Sequence, residues 1–218
     1  MSMRISDLSA ATGVTIPTLK FYLREGLLAP GDPVARNQAT YDERHVRRLR
    51  LIRALTEVGR LSLREIRDVL RAADDPRVPV HELLGTVQYA LEPAAPTTVN
   101  DDAVAVVDRA IDTLGWRVSR DAPARRSIAR AVDVLRSFGW SVGSDDLVRY
   151  ARAVDELAAR EVGIADEAVD RERLIERMVV GSVAYEAVLA AFRRLAQEHH
   201  SSTRGQRPAV RRPRRSSR

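Results

Sequence analysis

The sequence predicts a mainly α-helical fold in which a helix-turn-helix with a small wing precedes an all-helical carboxyl-terminal domain. Three observations carry this expectation. Two short capped helices stand close together near the amino terminus, a breaker-rich segment follows them, and apolar residues recur at helical spacing through nearly all of the rest.

Ser6 is a candidate cap for a first helix that stops at Gly13. Thr15 caps a second, with Pro17 tolerated in its first turn and Gly26 closing it. Residues 27–40 hold Pro30, Gly31, Pro33 and Asn37, too many breakers for a helix, and read as a loop or short hairpin. Asp42 opens a third helix whose Val46, Leu49, Ile52, Leu55 and Val58 form one stripe as far as Gly59. Ser62-Leu63-Arg64-Glu65 is a capping box for a fourth, ended by Asp74-Asp75-Pro76.

Beyond this region a helix over 78–91 is cut by a linker containing Pro93 and Pro96. Helices follow over 100–114, 121–138 and 144–162, starting at Asn100, Asp121 and Ser144. Between them lies a duplication: Leu114-Gly115-Trp116-Arg117-Val118 and Phe138-Gly139-Trp140-Ser141-Val142 stand 24 residues apart. A helix stopped by Gly, with Trp and Val turned inward, explains both copies, and two copies fall short of a solenoid. The last helix, expected over 166–200, carries a stripe wider than one face needs, which predicts burial on two sides. The domains expected are thus 1–75, a connecting helix and linker over 76–97, a helical dimerisation or sensing domain over 98–200, and a disordered basic tail over 201–218.

Charge is unevenly spread. Of 36 Lys and Arg and 30 Asp and Glu, residues 1–75 carry 13 basic and 10 acidic, residues 76–203 carry 16 and 20, and residues 204–218 carry seven Arg and no acid. A polyanion is therefore expected at the two ends, not in the middle. The chain has no cysteine, which excludes disulfides and thiolate-metal chemistry. No stretch of 18 uninterrupted apolar residues and no leader pattern stands out, so a cytoplasmic protein without membrane contact is expected.

The most specific feature is the run Ile5-Ser6-Asp7-Leu8-Ser9-Ala10-Ala11-Thr12-Gly13-Val14-Thr15-Ile16-Pro17-Thr18-Leu19-Lys20-Phe21-Tyr22-Leu23-Arg24-Glu25-Gly26-Leu27-Leu28, followed by Tyr41-Asp42. It resembles the amino-terminal domain of the MerR family of bacterial transcription regulators, whose pattern I-x-x-L-A-x-x-x-G-V-S-x-x-T-I-R-Y-Y-E-x-x-G-L-L precedes a wing ending Y-D. The resemblance covers about residues 3–75. It implies binding to double-stranded promoter DNA as a dimer, near RNA polymerase, with distortion of the duplex. In that family a long helix after the fourth pairs two subunits; here Pro93 and Pro96 interrupt it, so a homodimer is expected through the last helix instead.

A second helix laid in the major groove brings its first turn to base edges and its later turns to phosphates. Thr15, Pro17 and Thr18 then face bases, and Lys20, Tyr22 and Arg24 face phosphates, while Leu19 and Leu23 point to the core. Where the family wing carries Tyr-Arg this chain has Gln38-Ala39, so wing contacts pass to Arg36 and Asn37 beside Gln38. Tyr41 is read as packing at the wing base.

Trp116, Trp140, Phe138, Tyr150 and Tyr185 either line an apolar effector pocket between helices or simply fill the core. No His, Asp and Glu cluster has metal spacing, no phosphate loop or nucleophile elbow is present, and no cofactor or enzymatic activity is expected. His199-His200 reads as a solvated pair. The leading expectation is a regulator responsive to a small molecule or partner through its helical half; the alternative is an architectural DNA-bending or excisionase-like factor without an effector.

Overall fold

A computed structural model of the chain describes residues 2–35, 38–92, 98–163 and 170–205. The fold is mainly α. The chain divides into two units, Met1–Val180 and Gly181–Arg218.

The first unit opens with α1 (Ile5–Thr12) and α2 (Ile16–Arg24), then a hairpin of β1 (Asp32–Ala35) and β2 (Gln38–Thr40), then α3 (Glu43–Arg53). The segment that permitted a loop or a hairpin is thus a hairpin. Its antiparallel register pairs Asp32 with Thr40 and Pro33 with Ala39, and a bulge shifts Ala35 onto Gln38. A π-helical turn, Ala54–Val58, prolongs α3 to Gly59, and α4 (Leu63–Asp74) and α5 (Val80–Leu91) follow.

Local chemistry explains most boundaries. Thr15 caps α2, its Oγ1 accepting the Thr18 N–H at 3.4 Å, and Ser62 and Glu65 form the expected box on α4. Gly13 and Gly26 take the left-handed conformation that ends α1 and the turn after α2. The start of α1 differs from expectation. Its cap residue is Arg4, whose N–H donates to the Asp7 carboxylate at 2.9 Å, so an acid three residues on takes the role assigned to Ser6.

One hydrophobic core holds these elements together. Leu8, Leu19, Leu28, Leu49, Ile52, Leu55 and Val69 are fully buried in it. Leu83 and Val87 of α5 join it, as do Ile175 and Val179 from the start of α9 (Arg171–Gly205). The core therefore reaches well past the expected boundary at 75, because α4 and α5 leave an apolar surface that the first turns of α9 cover.

A second core lies among α6 (Asp101–Leu114), α7 (Pro123–Ser137) and α8 (Ser144–Gly163), with α6 packed on both of the others. It is made of small side chains: Ala103, Val107, Ile111, Ala129 and Val132, flanked by Val142 and Leu147. Asn100 caps α6 as expected, its Oδ1 accepting the Asp102 N–H at 2.8 Å. α7 starts at Pro123 rather than Asp121, with Ala122 before it, since proline needs no N–H partner in the first turn.

Gly115 and Gly139 stop their helices with φ of 69° and 82°, as the duplication implied. The inward turn of the tryptophans is corrected. Trp116 is 37% and Trp140 66% exposed, because an interior of alanine and valine has no room for an indole. Val118 is likewise exposed, and only Val142 meets the core.

Helix α9 starts at Arg171 and continues past the expected end at 200 to Gly205. Burial on two sides holds only for its first turns: Leu174, Ile175 and Val179 are buried, whereas Tyr185, Val188, Leu189, Phe192 and Leu195 in the second unit are all exposed. The basic tail beyond 205 lies outside the described residues.

Candidate nucleic-acid interface

The helix α2 presents an exposed N-terminal turn. Thr15, Ile16 and Pro17 face solvent, Thr18 is half-buried, and Leu19 is fully buried beneath them. The Thr15 and Thr18 hydroxyls lie 2.8 Å apart and hydrogen bond, so they form one preorganised polar spot with a donor or acceptor left over. At this end the first N–H groups of the helix also give a partial positive charge.

Lys20 and Arg24 continue the exposed side of α2, and among the described residues neither forms an ion pair. Free cations on a helix whose opposite side is anchored are suited to phosphates. Tyr22 differs from them. It is half-buried against the core, and its carbonyl accepts the N–H groups of Leu27 and Leu28, so its ring is a support for α2 as much as a surface group.

Long-range ties set the angle of α2. Arg67 of α4 pairs with Glu25 just past the last turn of α2. Arg53, at the end of α3, donates from Nη1 to the Thr12 carbonyl at 3.0 Å, closing the end of α1, and grips Glu57 with its other nitrogens at 2.9 Å. Neither arginine stood out in the sequence. A surface-looking arginine carries no local mark of a partner more than 40 residues away.

The wing is fixed at its base. Met3 and Tyr41 exchange backbone hydrogen bonds at 2.8 Å in both directions, joining the chain start to the end of β2. Tyr41 is buried and meets the His45 ring edge-on at 5.1 Å, in line with a packing role. Asp42 caps α3. Burial alone would raise its carboxyl, yet hydrogen bonds from Arg44 and His45 hold it well below the usual carboxylate range. Arg44 stands next to the wing with its side chain 72% exposed, a cation on this side of the fold that sequence reasoning passed over. Gln38 is exposed at the start of β2, while Arg36 and Asn37 lie outside the described residues.

Within the first unit, Trp116, Trp140 and Tyr150 do not line one cavity together. Trp116 borders an open cavity of about 410 Å³ together with Asp108, Arg117, Arg120 and Arg125. Trp140 and Tyr150, 66% and 64% exposed, do not line it, and Tyr185 is exposed on α9 in the second unit. The cavity wall is polar and organised by Arg125, which donates to Asp108 at 2.6 Å and to the carbonyls of Ser119 and Val118. Among the described residues no group of three or more His, Asp or Glu is placed to hold a metal.

The family model for MerR HTH family regulatory proteins matches residues 3–73. The nodulation protein NolA of Bradyrhizobium sp. (strain NC92) is 42% identical over 81 residues, covering 37% of this chain and 32% of NolA. The HTH-type transcriptional regulator CueR of Salmonella typhi is 33% identical over 75 residues, 34% of this chain and 54% of CueR. The chain thus spans between about a third and about half of these curated relatives. The likeness to a crystal structure is far broader: a candidate transcriptional regulator, SCO5550 from Streptomyces coelicolor A3(2), is 37% identical, with a TM-score of 0.67 over 93% of this chain and 97% of the other.

Proposed function

This chain belongs to the MerR family of helix-turn-helix regulatory proteins, and on that premise we propose that it acts as a homodimer on double-stranded promoter DNA, reading bases with Thr15, Pro17 and Thr18. Lys20 and Arg24 hold phosphates along α2, Tyr22 steadies the helix, and Arg36, Asn37 and Gln38 of the wing add contacts in the flanking groove. The observation that carries the reading is α2 itself: a capped, exposed helix start with two unpaired cations behind it, braced from below by Glu25 and Arg67.

The dimer forms through α9. Tyr185, Leu189 and Phe192 recur at steps of four and three, with Val188 and Leu195 beside them, and all are exposed in the single chain. The helical bundle around α6 is the sensing part, with the cavity beside Trp116 open to a small molecule. The regulator works in the cytoplasm alongside RNA polymerase and catalyses no reaction; no helix among the described residues is long and apolar enough to cross a membrane.

The test is selection of bound duplexes from a random pool with the full chain, combined with sedimentation. A two-fold site with half-sites spaced by whole turns supports the reading. Failure to enrich any site overturns it. Charged replacements at Val183 and Leu189 are expected to yield monomers that keep their helical circular dichroism, and a persistent dimer removes α9 as the interface.

A further inference from the structure

The helical bundle turns two corners with the same Gly-Trp pattern, and they are used differently. Gly115-Trp116-Arg117-Val118-Ser119-Arg120 leads from α6 into α7, and Gly139-Trp140-Ser141-Val142-Gly143-Ser144 leads from α7 into α8. An arginine of α7 fastens each corner: Arg125 donates to the Val118 carbonyl at 3.0 Å, and Arg136 to the Val142 carbonyl at 2.9 Å. Val142 packs on the second core, so the second corner is a plain helix junction. Val118 is 41% exposed and stands instead in the wall of the cavity beside Trp116. Where the second corner has Ser141 and Ser144, the first has Arg117 and Arg120, and both arginines line that cavity. Trp140 and Phe138, at the second corner, do not. Joining two helices requires neither the outward valine nor the two arginines.

The cavity is framed by a buried cation whose partners are already in place. Arg125, its side chain 12% exposed, engages the Asp108 carboxylate and the carbonyls of Val118 and Ser119, which fixes the turn and neutralises Asp108. Among the described residues Arg117 and Arg120 form no ion pair, and the other acid in the wall is Asp112. Three arginines and two aspartates leave the wall one net positive charge. Beside these charges the Trp116 indole and Val118 offer an apolar surface.

We propose that this cavity takes a planar aromatic carboxylate, its ring against the Trp116 indole and its carboxylate between Arg117 and Arg120. The assignment deepens the sensing role proposed above for this bundle and rests on it. A volume of about 410 Å³ lies within the range of small-molecule sites. Aromatic rings pack well on an indole, and guanidinium forks match the two oxygens of a carboxylate. A wall with one net positive charge suits a monoanion, whereas a phosphate monoester, with a charge of about −2, brings a second negative charge toward Asp112. Such a ligand bridges the end of α6 and the turn into α7, and so bears on the angle between the two helices.

The test is calorimetric titration of the full chain with 2-naphthoate, with 2-naphthamide as the same ring without charge and 2-naphthylmethylamine as the same ring with a cation. Naphthoate is expected to bind one site per chain, at least about tenfold more tightly than either of the others. Arg117→Gln combined with Arg120→Gln is expected to abolish that preference. Trp116→Leu is expected to weaken naphthoate several-fold, while Trp140→Phe at the other corner leaves it unchanged. All four side chains are exposed, and circular dichroism checks that each variant keeps its helices. Equal effects of Trp116→Leu and Trp140→Phe overturn the site. Naphthamide bound as tightly as naphthoate, with Trp116→Leu weakening both, keeps the cavity as a small-molecule site and overturns the anionic class. Tightest binding of the amine does the same and transfers recognition to Asp112. If none of the three compounds binds, the proposal falls together with the reading of this cavity as the sensing site.

Discussion

The Nε of Arg171, in the first turn of α9, donates to the carbonyl oxygen of Ala73 at 3.1 Å across 98 residues of sequence. The same guanidinium reaches the Ala72 and Val78 carbonyls at 3.0 Å each. The last carbonyls of a helix have no partner within it, and here one planar cation serves the end of α4 and the turn before α5 together. Around it Arg47 pairs with Asp170, and Arg48 pairs with both Asp74 and Glu172, so α3, α4 and α9 meet in one polar seam.

Replacing Arg171 with Met leaves three part-buried acceptors without a charged donor. A loss of about 2 to 3 kcal/mol is expected, read as a lower urea midpoint. Arg171→Lys recovers only part of it, because an ammonium cannot present a planar fork to three separated oxygens. An unchanged midpoint for Arg171→Met would show that water replaces the clamp.

Gly59 lies where α5 and α9 close over the π-helical turn. A Cβ there would stand 3.0 Å from the Leu55 carbonyl oxygen, 3.1 Å from Leu91 Cδ2 and 3.2 Å from Val179 Cγ1. Alanine favours helix over glycine by less than about 1 kcal/mol, while crowding of this kind costs about 1 to 3. Gly59→Ala is accordingly expected to lower stability by about 1 kcal/mol. A gain would mean that α9 shifts freely at this point.

On DNA, Lys20→Ala is expected to weaken every duplex alike and to reduce the slope of log affinity against log salt by about 1. Thr18→Ala removes one of two coupled hydroxyls and should change preference at one base pair in each half-site. Thr15→Ala adds a stability loss of about 1 kcal/mol, because the α2 cap goes with it. Uniform weakening by Thr18→Ala on all sequences would remove Thr18 as a base reader.

Burial pushes the Glu172 carboxyl up, against the pull of Arg48. A raised carboxyl holds its proton more tightly in the folded chain than in the unfolded one, so its ionisation disfavours folding above the folded value. As pH falls through that value the handicap fades, and it is gone below the unfolded value near about 4. Glu172→Gln is thus expected to be at least as stable as the parent at pH 7, with the advantage vanishing below about pH 4. Urea midpoints across this range decide it. A variant weaker at pH 7 would show that the pair with Arg48 outweighs the desolvation.

What could be read in advance was local. Thr15, Ser62, Asn100, Gly13 and Gly115 announce helix ends because cap and helix are neighbours in sequence, and the wing follows from its breakers. The direction of Trp116 and Trp140 could not be read, since it depends on how much room Ala103, Ala129 and Val132 leave in the interior. Nor could the burial of Ile175 and Val179 in the first core, which depends on an apolar surface assembled from α3, α4 and α5. Within the candidate interface, the identity of α2 and its exposed positions were legible from motif and periodicity. The bracing by Arg53 and Arg67 was not, because nothing about an arginine signals a distant carbonyl or carboxylate.

The sharing of one core between α5 and the start of α9 bears on the order in which the chain folds during synthesis. Val87 is made long before Ile175, and at about 5 to 20 residues per second the ribosome takes several seconds to cover the interval. During that time the amino-terminal core exists without its last side chains and keeps an open apolar flank. The bundle of α6, α7 and α8, whose buried cluster of Ala103, Val107, Ile111, Ala129 and Val132 draws no residue from α9, is complete before α9 emerges. The part of the polypeptide that is translated first is therefore finished last, and a nascent chain stalled between α8 and α9 carries a mature bundle beside an unfinished helix-turn-helix head.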